Sequence, residues 1–191
     1  MAATFSALLI DEVYLQNNTS IGQNIDALAI YPFIESAQDI YIQDLLGTAF
    51  YNDLTYKLYA GTTWSNDELI VVELASKALA FWTVHMALPH LAIKIRNVGI
   101  ARPISDNTQP STMEELRYIR NEVKDTAEFH AQRLTTYLCN NSIKYPLYLN
   151  QGAKPDMSPS NGQYDSDIYL SPYGDYTEAE QRFLNAYYRN R

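Results

Sequence analysis

Between Ser111 and about Asn140 the sequence sustains one uninterrupted helical period, and that stretch limits the fold more than any other. Leu116, Ile119, Val123, Ala127, His130, Leu134 and Leu138 recur at helical spacing along one stripe. Ser111 and Glu114 supply the Ser-x-x-Glu pattern of a capping box, and Asn140, Asn141 and Pro146 close the segment. About 29 residues at ~1.5 Å each make a rod of ~43 Å. A compact domain cut from 191 residues does not need so long a helix.

The segments before it are also helical. The spacing predicts a helix from Asp26 to Leu46 with Ile30, Ile34, Ala37, Ile40 or Tyr41, and Leu45 inward, Pro32 near its start and Gly47 at its end. A second runs from Thr48 to Tyr59 with Phe50, Leu54 and Leu58 on one face, and Gly61 stops it. Ser65 or Asn66 caps a third, whose first turn carries Asp67 and Glu68 at the positive end of the helix dipole. Its inward residues are Leu69, Val72, Leu79, Trp82 and Met86, and Pro89 kinks or ends it. Residues 97–110 read as a loop, and Leu8 to Leu15 as either a short strand or a helical turn. The expected fold is therefore all-α: a helical bundle with long helices over residues 1–149.

From Asn150 the composition shifts. Three prolines and three glycines within residues 150–176, with little periodicity, indicate an extended arm over 150–191. A Thr-x-x-Glu pattern at Thr177–Glu180 opens a short terminal helix. Of sixteen tyrosines, six fall in this arm, where a core is hard to build. Tyrosine gives large contact area with a polar tip, so Tyr164, Ile168, Tyr169, Tyr173, Tyr176, Phe183, Tyr187 and Tyr188 are the candidate protein-interface residues.

Charge and composition narrow the function. Residues 1–93 carry a net −8, residues 94–149 a net +2 and residues 150–191 a net −2, and the whole chain has a pI near 4.8. An acidic chain lacks the clustered Lys and Arg that phosphate backbones require. The single cysteine, Cys139, rules out a disulfide framework within the chain. No basic n-region precedes the first apolar residues, and the apolar stretch Leu69–Ile93 is broken by Glu73, Lys77, His85, Pro89 and His90, so neither a signal peptide nor a membrane span is expected.

Catalytic patterns are sparse. His85 and His90 lie five apart, off the i, i+4 spacing of a metal-binding helix, and His130 sits on the apolar stripe. No glycine is followed by the Lys-Ser/Thr of a nucleotide loop, and no Gly-x-Ser-x-Gly elbow occurs. Asp165 and Asp167 have a calcium-like spacing without the terminal glutamate. The expectation is a protein that is not an enzyme and uses no cofactor or metal.

Several runs resemble a family. Ile25-Asp-Ala-Leu, Pro32-Phe-Ile-Glu-Ser-Ala-Gln38 and Leu45-Leu-Gly-Thr-Ala-Phe-Tyr51 are similar to the opening of small helical head–tail connector (adaptor) proteins of tailed phages, closest to those of Bacteroidota and crAss-like phages. Trp82 to Leu88-Pro89, Asn97-Val-Gly99, Glu128 to Leu138 and Tyr145-Pro146 follow in the same order. The likeness covers roughly residues 8–149 and consists of core and turn patterns. It implies a virion protein, made in the host cytoplasm, that assembles as a homo-oligomeric ring of twelve copies at the head–tail junction. Its partners would be the portal protein and tail or further ring proteins. Genomic DNA would pass through the lumen without specific binding, and no membrane is involved. The competing readings are a helical protein-binding module or assembly chaperone without a ring, and a small carboxylate-based hydrolase.

Overall fold

A computed structural model describes residues 7–22, 27–92, 112–150, 152 and 156–159, and the backbone of 94–96 and 99–101. All of these lie in one compact unit, Met1–Asn161; a second, Gly162–Arg191, lies outside the described residues.

The architecture is all-α. Its helices are α1 (Glu12–Asn18), α2 (Ala27–Ala37), a π-helical segment (Gln38–Ile42), α3 (Gln43–Leu46), α4 (Thr48–Tyr59), α5 (Asn66–Ala92), α6 (Met113–Asn140), a 3₁₀ turn (Ser142–Lys144) and α7 (Pro146–Leu149). One two-stranded antiparallel ribbon, β1 (Lys94–Arg96) and β2 (Gly99–Ala101), follows α5 with Ile95 opposite Ile100. The loop expected over 97–110 therefore contains a strand at 99–101.

Helix α5 is the centre of the bundle, and the α5–α6 pair is its most extensive packing contact. From Val71 to Val84 only Glu73, Lys77 and Phe81 escape full burial, a single wetter stripe at four-residue spacing. Glu73 and Lys77 pair along it at 2.6 Å. By length and composition α5 is apolar enough to cross a membrane, with a mean hydropathy of 1.4 over its best window, but 67% of that window is buried among the other helices. Leu69, expected inward, is exposed, and the helix continues through Pro89 to Ala92.

The run from Ala27 to Leu46 is helical throughout, as the spacing predicts, but its inner face differs. Ile30, Ile34 and Ala37 are buried as expected; beyond them Gln38, Ile42 and Leu46 are buried, while Ile40 is 52% exposed and Tyr41 and Leu45 are only partly covered. The π-helical turn accommodates one extra residue, so the buried stripe moves forward by one position. The same turn lays the Tyr41 ring flat on Trp82, with centroids 3.8 Å apart and planes within 5°. Gly47 then ends α3 and starts α4 at φ 76°, a left-handed conformation in which glycine carries no Cβ penalty.

The N-terminal ambiguity resolves in favour of a helix, with no strand over the described residues before it. Residues 7–10 are non-helical, and Asp11 caps α1 by accepting from Tyr14 N at 2.7 Å. For α6 the capping box forms one residue later than expected: Thr112 accepts from Glu115 N at 3.2 Å, and Glu115 accepts from Thr112 N at 2.8 Å. Both registers match the Ser/Thr-x-x-Glu pattern.

Candidate functional site

The eight arm residues proposed from the sequence as interface, Tyr164, Ile168, Tyr169, Tyr173, Tyr176, Phe183, Tyr187 and Tyr188, lie outside the described residues. Two other places concentrate chemistry: a charged cleft and the outer surface of α6.

The cleft, about 290 Å³, lies between α4, the start of α5 and the turn into α7. Ser65 caps α5 reciprocally, its N–H donating to Glu68 Oε2 at 2.9 Å while its Oγ accepts from Glu68 N at 3.3 Å. Glu68 also takes Lys57 Nζ at 2.6 Å, and Lys57 reaches Asp53 at 2.7 Å, so one ammonium joins α4 to α5. Burial pushes the Glu68 carboxyl up, but Lys57 and the two Ser65 bonds outweigh it and hold it below the ordinary carboxylate value. On the opposite wall Lys144 pairs with Asp67 at 2.9 Å, and Tyr145 donates to the Asp67 carbonyl at 2.9 Å. The cleft's charges are thus engaged with one another, an arrangement that clamps three chain segments together.

The histidines sit in aromatic packing. His85 Nδ1 lies 3.2 Å from the Arg120 carbonyl, which fixes it as the donor in the neutral ring. Burial lowers the His85 pKa, Arg120 and Lys124 push the same way, and the Arg120 carbonyl and Glu128 oppose them. His130 stacks on Phe81 with centroids 5.4 Å apart, and burial lowers its pKa too. Cys139 is half-buried with Sγ 3.8 Å from the Tyr148 hydroxyl. Among the described residues no three metal-binding side chains cluster.

Helix α6 has a different character. Its buried residues are Ala127, Leu134, Thr135 and Leu138, all in its second half. In the first three turns the stripe that continues this face is open: Met113 is 55% exposed and Ile119 43%, with Leu116 half-covered. On the outward side Tyr118 is 71% exposed and Phe129 62%. Sequence periodicity marked Ile119 as core because it continues the stripe; only the packing shows that the described residues leave it 43% exposed. Tyr56 and Tyr59 of α4 are also exposed.

A family model described as a family of unknown function, DUF6712, matches residues 42–156, more than half of the chain. The chain belongs to DUF6712. The DUF6712 match begins at the end of the π-helical segment and takes in both walls of the cleft and all of α6. It leaves out α1, α2 and the tyrosine-rich arm beyond Asp156. No curated protein and no solved structure matches the chain.

Proposed function

We propose that this DUF6712 chain is a structural virion protein, a head–tail connector subunit that assembles into a ring beneath the portal, extends the DNA channel and offers a platform to tail proteins. The observation that carries the reading is the uncovered aromatic and apolar surface of α6, where Tyr118 and Phe129 stand exposed on a helix of 28 residues. Large side chains grouped on a helix with no covering element among the described residues favour a protein partner. The resemblance to phage connectors over roughly residues 8–149 supplies the kind of assembly. Its acidic balance suits a channel wall past which DNA moves without counterion-release binding. The internally paired charges of the cleft and the packed histidines fit a subunit without a reaction of its own.

Light scattering coupled to size-exclusion chromatography, with electron microscopy of the same fractions, tests the proposal with and without the phage's portal protein. A ring, alone or on the portal, is expected. A chain that stays monomeric or dimeric in both conditions and leaves the portal unbound overturns it in favour of a binding module or chaperone.

A further inference from the structure

Over the first half of α6 the charges are sorted around its axis. At about 100° per residue, Arg117, Arg120 and Lys124 fall within an arc of about 60°, and Glu114, Glu115, Glu122 and Asp125 within an arc centred roughly 140° away. The basic arc overlaps the open continuation of the core stripe, beside Met113 and Leu116. The acidic arc is the outward face, where Tyr118 and Phe129 flank Glu122 and Asp125 about 16 Å apart along the helix. Among the described residues Arg117 and Arg120 make no ion pair, and both are exposed. The Thr112–Glu115 capping box fixes the tip as helix although few of its side chains are packed.

We infer that the basic, apolar inner side of the α6 tip docks on the acidic, aromatic outer side of α6 in a second copy of this chain. The two patches are opposite in charge, each carries large apolar side chains, and they lie on different sides of one rigid rod. A patch that fits a different patch on an identical copy makes a heterologous contact, which closes into a ring when the rotation allows. Two copies joined through the same patch would instead set Arg117 and Arg120 against themselves. This inference rests on the ring reading and names the surface that would build it.

Two charge-reversed variants test it. R117E/R120E makes both sides of the helix acidic, and E122K/D125K makes the outer side basic between Tyr118 and Phe129. All four positions are exposed, so helix content by circular dichroism should match the wild type. Each variant alone should associate at least about tenfold more weakly than the wild type. An equimolar mixture should regain assembly, because every contact in an alternating array pairs opposite charges. Variants that assemble alone like the wild type, or a mixture that fails to recover, overturn this surface while leaving the ring intact. A wild type that never oligomerises, with or without the portal, overturns both.

Discussion

The side-chain amide of Gln38 accepts a hydrogen bond from Leu9 N at 2.8 Å across 29 residues of sequence. Its Nε2 donates to the Ala7 carbonyl at 2.9 Å, so one buried amide pairs with non-helical backbone much as a neighbouring strand would. A second Nε2 bond, 3.0 Å to the Tyr51 hydroxyl, continues to Asp39 at 2.8 Å. Burial pushes the Tyr51 phenol up, the Gln38 bond offsets part of this, and donation to Asp39 raises it further, keeping the hydroxyl protonated as a donor. Replacing Gln38 with leucine leaves the Ala7 and Leu9 backbone groups unmatched at a site where the side chain is 2% exposed. The expected cost is about 2–4 kcal/mol in urea unfolding. An unchanged midpoint would show that this network does not hold the N-terminal segment.

The π-helical turn makes a separate prediction. Ile40, exposed within it, is the residue whose removal lets the run revert to an ordinary α-helix. Deleting Ile40 brings Ile42 and Leu46 into α-helical register with Ile34 and Gln38, so the buried stripe survives. Stability should change by no more than about 1 kcal/mol. Deleting Asn52 from α4, an ordinary helix with no extra residue to give up, instead rotates the two halves of that helix by about 100° and should unfold the domain. Circular dichroism and thermal melts of the two deletions compare them directly. Equal damage would mean that the extra residue does not set the register.

That turn also shows where sequence reasoning stops. A period of 3.6 identified the helix from Ala27 to Leu46 and its first inward residues, Ile30, Ile34 and Ala37. It assigned Ile40 or Tyr41, and Leu45, where Ile42 and Leu46 are buried, because one inserted residue leaves no mark in composition. Local chemistry was more legible: of the two caps the sequence offered for α5, Ser65 takes the role, and Glu68, expected at the positive end of the dipole, is also its reciprocal partner. The α6 cap slipped from Ser111 to Thr112 since both fit the same pattern. Gln38 escaped notice because its partners, Ala7, Leu9 and Tyr51, are brought together only by tertiary structure. The open tip of α6 was invisible for the same reason.

Acid should weaken the fold before its carboxylates titrate. Burial holds the His85 and His130 imidazoles below the ordinary value of 6.5. Above that value both rings are neutral in folded and unfolded chains alike. On acidification the unfolded chain takes up its protons first, so stability falls as pH drops below about 6.5 and levels off once the folded rings protonate. Urea midpoints at pH 8 and pH 5.5 should differ, and the double variant His85→Gln, His130→Phe should narrow the difference. A midpoint independent of pH across this range would contradict the burial of both rings.

Lys57 bridges Asp53 and Glu68, and its loss leaves two carboxylates facing each other at 29% and 17% side-chain exposure around the vacated ammonium. Lys57→Met should destabilise by about 1–2 kcal/mol, more than a fully exposed ion pair would. The double variant Lys57→Met, Glu68→Gln should recover part of that loss. A single variant as stable as the wild type would reduce the clasp to a surface pair.

Among the described residues, the start of the tyrosine-rich segment is hydrogen-bonded to the helical domain at Thr48, and truncation can weigh it. Thr48 opens α4, where a backbone N–H has no partner within its own helix. That N–H donates to the Met157 carbonyl at 3.0 Å, and the Thr48 hydroxyl accepts from Met157 N at 2.9 Å. A chain ending after Asn150 loses both bonds and leaves the α4 terminus without its cap. A chain ending after Asn161 keeps them. The longer form should therefore be more stable by about 1–2 kcal/mol, close to the worth of a helix cap. Thr48→Val in the longer form should lose roughly half of that margin, because the backbone bond to Met157 remains. If the two truncations unfold at the same urea concentration, Met157 adds nothing to the α4 cap and residues 150–159 are dispensable to the fold.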